Sequence, residues 1–211
     1  MKILFLGDSI TAGAGLDTKE EAFASLVGKS ANAEVVNYGV GGTRIARNSE
    51  PSKDASYDDD FLQRAENMDK NADFIFVFGG TNDYGHGDAP IGEISDETPY
   101  TFYGAMNLLV RYLEKIYGRD KTCFILPIHR KNEDDLFGDG SKKIKSGTLT
   151  DYINAEIKVL NDDNIHYLDL REFFPIEKLD ELTIDGLHPN AKGHRLIAEK
   201  IVAYINKYYT S

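Results

Sequence analysis

A three-layer αβα sandwich around a five-stranded parallel sheet is the fold class this sequence predicts, and three observations predict it. Five short runs are continuously apolar, without alternation, as strands covered on both faces require. Stretches with helical period separate these runs, so strands and helices alternate and right-handed crossovers follow. The chain is also long and apolar enough to bury a core without metal or disulfide staples. Its 211 residues, 41% hydrophobic and 11% aromatic, fit one domain over residues 1–211 and exclude global disorder.

The first strand covers residues 3–6 and stops at Gly7 and Asp8. Thr18 followed by Glu21 has the spacing of a capping box, predicting a helix from there that carries Phe23, Leu26 and Val27. The second strand covers 35–38. A helix over 58–69 follows, with the triplet Asp58, Asp59 and Asp60 favouring its positive N-terminus. Residues 74–78 form the third strand. The clearest helical signal spans 101–117, where Phe102, Met106, Leu109, Val110, Leu113, Ile116 and Tyr117 recur at three- and four-residue steps and Gly118 supplies the stop. A fourth strand over 123–128, a helix over 149–160 and a fifth strand over 165–170 continue the alternation. A last amphipathic helix from Ala191 carries Leu196, Ile197, Ile201 and Ile205, with Asn190 as its cap. Two long loops remain, 84–100 and 129–147, and loops of that length in a compact domain are functional or mobile.

Charge and cysteine content exclude several classes of function. Asp and Glu number 35 against 24 Lys and Arg, a formal charge of −11 that repels a nucleic-acid backbone. Cys123 is the only cysteine, so neither an intrachain disulfide nor a multi-cysteine zinc site can form; it reads as a small buried hydrophobe in the fourth strand. The apolar run at 3–6 is too short for a signal h-region or a membrane span. A soluble cytoplasmic protein without cofactor or metal is expected. Oligomeric state leaves no mark on the sequence.

In a sheet of this type ligands gather at the carboxyl ends of the strands, and the unusual residues fall there. Gly7-Asp8-Ser9 follows the first strand, Asn37-Tyr38-Gly39-Val40-Gly41-Gly42-Thr43 the second, and Gly79-Gly80-Thr81-Asn82-Asp83 the third. Asp185-Gly186-Leu187-His188 lies beyond the fifth. Singly these are ordinary turn residues. Together, and in this order, they resemble the SGNH (GDSL-type) hydrolases, serine esterases and lipases marked by a Ser, a Gly, an Asn and a His in separate blocks. Ser9 matches the nucleophile block, Gly42 the Gly block, Asn82 the Asn block, and Asp185 with His188 the closing Asp-x-x-His. Gly41 is the alternative to Gly42, and Ile10 stands where the family name has Leu.

The resemblance implies a catalytic triad of Ser9, His188 and Asp185, with an oxyanion hole formed by the N–H groups of Ser9 and Gly42 and the amide of Asn82. The chemistry agrees: a serine hydroxyl needs a base as it attacks, and the imidazole needs a carboxylate to fix its tautomer. The implied strand order is 2-1-3-4-5. It puts the fifth strand roughly 14 Å from the first at about 4.8 Å per strand, a span that residues 171–184 must cross. His129, Tyr84 and His86 are candidate substrate contacts. His166 and His194 read as structural or solvated, and Asp8 and Asp83 as loop anchors.

Two other functions compete with hydrolysis of a short-chain or sugar acetyl ester. A metal-dependent phosphoesterase could draw on Asp8, Asp83, Asp185, His129 and His188 at the rim. A non-catalytic module of flavodoxin-like shape could cradle phosphate in its Gly-rich turns, although neither a Walker lysine nor Gly-x-Gly-x-x-Gly opens a helix. An ordinary α/β-hydrolase is disfavoured, since the second Gly of a nucleophile elbow is missing around Ser9.

Overall fold

The computed structural model describes residues 1–52, 54–143 and 145–209. Its sheet is five-stranded and all parallel in the order β2-β1-β3-β4-β5, from β1 (Lys2–Gly7), β2 (Glu34–Gly39), β3 (Phe74–Phe78), β4 (Thr122–Ile125) and β5 (His166–Leu168). The helices are α1 (Ser9–Ala12), α2 (Phe23–Ala31), α3 (Phe61–Glu66), α4 (Thr81–Gly85), α5 (Phe102–Tyr117), α6 (Leu149–Asp162), α7 (Leu179–Leu182) and α8 (Ala191–Tyr209).

Strand periodicity divides the core between the two faces of the sheet. Ile3, Phe5, Phe74, Phe76 and Phe78 pack under α2 and α8, where Phe23, Val27, Ile197 and Ile201 are buried. Leu4, Leu6, Ile75 and Val77 pack on the other face under α3, α5 and α6, with Phe61, Leu109, Leu113 and Tyr152. Each fully buried apolar side chain contributes roughly 1.5–3 kcal/mol, enough in sum to hold both helical layers to the sheet. Among the described residues no helix is long and apolar enough to cross a membrane.

The structure corrects several predicted boundaries. Thr18 makes no side-chain cap; residues Lys19–Glu21 form a 3-10 turn, and α2 starts only at Phe23. The buried ring of His194 accepts the Phe23 N–H through Nδ1 at 3.2 Å, so a tertiary partner replaces the local cap. The fourth strand stops at Ile125 because Pro127 has no N–H to offer, although Leu126 N still reaches Leu168 O. The fifth is trimmed to three residues at the sheet edge, with Ile165 N drawn back to Leu160 O at the end of α6. Asp60 alone of its triplet caps α3, in a capping box with Gln63. Asn190 does cap α8, accepting from Lys192 N and Gly193 N.

Candidate active site

The nucleophile candidate sits where β1 ends. Asp8 caps the single turn of α1, its Oδ1 accepting from Ile10 N at 2.9 Å, and Ser9 is the first residue of that turn. A Cβ on Gly7 would lie 2.0 Å from Thr11 Oγ1 and 2.9 Å from the Phe78 carbonyl, so only glycine lets the turn fold back tightly enough to raise Ser9 at the rim.

From the far side of the sheet, residues 171–184 bring Asp185 and His188 across, through two 3-10 turns and α7. The loop that presents them is braced at its base. Thr183 pairs with Pro189, Ile184 N donates to His188 O, Gly186 N donates to Thr183 Oγ1, and Lys131 N donates to Gly186 O. His188 Nε2 lies 2.9 Å from Ser9 Oγ, and His188 Nδ1 lies 2.7 Å from Asp185 Oδ2. Because a carboxylate only accepts, Nδ1 carries the ring proton and the Nε2 lone pair receives the serine hydroxyl. Burial alone would push the Asp185 carboxyl up. The bonds it accepts from the His188 ring and from the His188 and Leu187 N–H groups prevail and hold it below the usual carboxylate range. This chain of groups can take a proton from Ser9 and stabilise the resulting imidazolium.

Unpartnered donors lie on the turns that follow β1, β2 and β3. The N–H groups of Ser9, Gly41 and Gly42 find no partner among the described residues. Gly42 has φ +75°, and a Cβ there would strike the Tyr57 ring at 2.7 Å, so the position demands glycine; at Gly41 the added atom would meet only Ser9 Cβ at 3.7 Å. Asn82 is buried on α4 and donates one amide hydrogen to Thr43 O at 2.9 Å, and its other amide hydrogen has no partner among the described residues.

Buried charges fix these loops. Asp83 accepts Ile45 N at 3.0 Å and Ala46 N at 2.8 Å, tying the Asn block to the Gly block. Burial pushes the carboxyls of Asp83 and Asp8 up to about 6, against the opposing pull of their backbone hydrogen bonds. Arg64 on α3 donates to Gly7 O at 2.9 Å, to Thr43 Oγ1 at 2.6 Å and to Tyr38 O, so one guanidinium binds the ends of β1 and β2 to the loop that carries Gly42. Burial lowers its pKa to about 10, leaving it charged at neutral pH. Sequence reading missed Arg64, since an Arg within an amphipathic helix carries no sign that it points inward.

The remaining candidates fall elsewhere. Tyr84 is 0% exposed and donates its hydroxyl to Asp135 O at 3.0 Å and to Asn132 O. It supports the loop after β4 from beneath, which corrects its reading as a substrate contact. His129 pairs through Nδ1 with Glu133 at 2.8 Å. His86 lines a cavity of about 570 Å³. His194 is structural, buried and stacked on Phe23. Asp8, Asp83, Asp185, His129 and His188 do not converge on a point, and among the described residues no group of three or more His, Cys, Asp or Glu is placed to hold a metal ion.

Proteins of known structure share this fold over nearly the whole chain. The chain is 29% identical to a protein of known structure from Lactobacillus plantarum, with a TM-score of 0.82 over 99% of this chain and 97% of that one. The lipase/acylhydrolase from Enterococcus faecalis superposes with a TM-score of 0.68 at 21% identity, covering 98% and 95% of the two chains. The acetyl xylan esterase AlAXEase does so with 0.66 at 23%, covering 97% and 100%. At these lower identities the likeness concerns the fold. No curated protein sequence matches the chain. The GDSL-like lipase/acylhydrolase family model matches residues 5–196, nearly the whole length, and the chain belongs to that family of hydrolases.

Proposed function

We propose that the protein is a serine esterase that cleaves a carboxylic ester through an acyl-enzyme on Ser9. One observation carries this reading: the continuous hydrogen-bonded path from Ser9 Oγ through His188 to Asp185, at 2.9 and 2.7 Å, beside N–H groups that have no other partner. As Ser9 Oγ bonds to the ester carbonyl carbon, its proton passes to His188 Nε2. The carbonyl oxygen becomes an alkoxide facing Ser9 N–H, Gly42 N–H and the Asn82 amide. Collapse of this intermediate breaks the carbon–oxygen bond, and the leaving alkoxide takes the proton from His188. Water then repeats the sequence on the acyl-enzyme, releasing the carboxylic acid and restoring Ser9. Asp185 keeps the ring in the required tautomer throughout.

A short acyl group suits the site, with a sugar acetyl ester as the favoured case. The rim loops 84–100 and 129–147 carry no long apolar run that would line a channel for a fatty acyl chain, and this supports the short-chain reading. A fluorophosphonate probe is expected to label Ser9, and Ser9→Ala is expected to abolish turnover. Folded protein that neither labels nor hydrolyses any ester would overturn the proposal. A steady rise in kcat/KM from acetyl to octanoyl esters would overturn the acyl preference alone.

A further inference from the structure

The rim holds a second feature that the Ser9 chemistry leaves unused, the cavity of about 570 Å³ between the loops after β2, β3 and β4. Its volume lies in the range of small-molecule sites. Asn48, Pro51, His86, Pro90, Lys143 and Lys145 are among its walls. Four of its polar side chains are donors, His86, Lys142, Lys143 and Lys145. The Arg44 guanidinium, which can only donate, approaches His86 Nδ1 at 3.2 Å and so fixes the neutral tautomer with its proton on Nε2. That N–H has no partner among the described residues. Burial, reinforced by the Arg44 charge, lowers the His86 pKa to about 4 and keeps the ring neutral.

The lining carries three lysines, Lys142, Lys143 and Lys145, against the two carboxylates of Glu50 and Asp88. Lys143 and Lys145 are exposed and form no ion pair among the described residues. Beneath them Lys142 is anchored, donating to Asp83 O at 2.7 Å, Ser146 Oγ at 2.8 Å and Tyr152 OH at 3.0 Å. Of the two acids in the lining, Asp88 has both oxygens committed to Ser49 N and Glu50 N, which leaves Glu50 as the acid with free acceptors. In a chain of net charge −11 this is an unusually donor-rich recess.

It also adjoins the end of α4, the helix that carries Asn82. His86 directly follows α4, and its N–H donates to Asn82 O at 2.9 Å, so the cavity begins about one helical turn, ~5.4 Å, beyond the Asn82 backbone. We propose that the cavity is a subsite for a negatively charged group, a carboxylate or a phosphate, borne by the ester substrate several bonds from its scissile carbonyl. This rests on the esterase reading and narrows it to anionic esters.

The test compares kcat/KM for paired esters that differ only in a terminal charge. The p-nitrophenyl half-ester of glutaric acid against p-nitrophenyl valerate places the charge on the acyl side; 4-acetoxyphenylacetate against its amide places it on the alcohol side; acetoxyethyl phosphate against acetoxyethanol replaces carboxylate by phosphate. The wild type is expected to favour the charged member by about fivefold or more in at least one pair, as one or two partly screened contacts allow. That preference should fall toward unity in Lys143→Gln/Lys145→Gln and rise in Glu50→Gln. No preference in any pair, or one that both variants leave unchanged, refutes the subsite. Ser9 labelling by a fluorophosphonate separates the two readings: labelled enzyme that treats charged and neutral partners alike keeps the esterase and loses the subsite, while unlabelled, inert protein loses both.

Discussion

Replacing Asp83 by Asn should make stability improve relative to wild type as pH rises, and should slow turnover at the same time. The Asp83 carboxyl is fully buried, and burial moves it from 3.8 to about 6 despite the bonds it accepts from Ile45 N and Ala46 N. A carboxyl with a raised folded-state pKa binds more protons folded than unfolded, so stability falls as pH rises between those two values and stays reduced above the higher one. The displacement corresponds to about 3 kcal/mol. Asn mimics the protonated acid and does not titrate. Chemical denaturation should therefore show the stability difference between Asp83→Asn and wild type moving by about 3 kcal/mol in the variant's favour from pH 4 to pH 8, on top of a pH-independent cost of about 1–3 kcal/mol for the backbone donor it leaves unpaired. Asn has one acceptor oxygen where Asp has two, so either Ile45 N or Ala46 N loses its partner and the loop carrying Gly42 loosens. A misplacement near 1 Å at such a loop can cost about 10²-fold in rate, read as a fall in kcat with KM little changed. A stability difference independent of pH, or full kcat in the variant, would refute the reasoning.

Other perturbations test separate parts of the site. Asn82→Ala, which removes one donor from the oxyanion position, should lower kcat by about 10²–10³-fold, and Ser9 should still be present for labelling at a slower rate. Asp185→Asn keeps the shape of the His188 contact but presents an amide to Nδ1, favouring the wrong tautomer; a loss of about 10⁴-fold in kcat is expected, measured on an activated ester. Cys123 is 1% exposed and its thiol is pushed up to about 12 by burial, so a thiol reagent should react only on unfolding and report the global transition.

What the sequence reveals depends on whether the determinant is local. Continuous apolar runs such as 74–78 announce a strand covered on both faces, and that is what the core shows around Phe76. Rare residue types held in turns, Ser9, Asn82 and the Asp185–His188 pair, stand out because few folds need them there. The capping box read from Thr18 and Glu21 fails because a long-range partner, His194, takes the Phe23 N–H. Tyr84 follows the Asn block and looks like a pocket residue, but a helical turn carries its ring inward to face Tyr152. The reach of Arg64 to the ends of β1 and β2, and the meeting of three loops around His86, arise only from packing.

The two halves of the site are held by opposite physical means, and this bears on which half can change. Asp185 and His188 sit on a half-exposed loop braced by backbone bonds at Thr183, Ile184 and Gly186, and the pair needs only three residues of chain to assemble. Asn82 and Gly42 depend on buried charge: Asp83 and Arg64 hold their loops, Asp8 caps the turn at Ser9 beside them, and Glu156, fully buried behind Gly80 with Oε1 unpartnered, has its carboxyl pushed well up by burial and by the neighbouring Asp83 and Asp8. Three acids so placed destabilise the folded chain once ionised, and neutral amides of the same shape would relieve them. On that argument Glu156→Gln, which removes ionisation without changing shape, should raise stability increasingly from pH 5 to pH 8 and leave the positions of Gly42 and Asn82 as they are. Unchanged stability across that range would mean that Glu156 finds a compensating partner when charged.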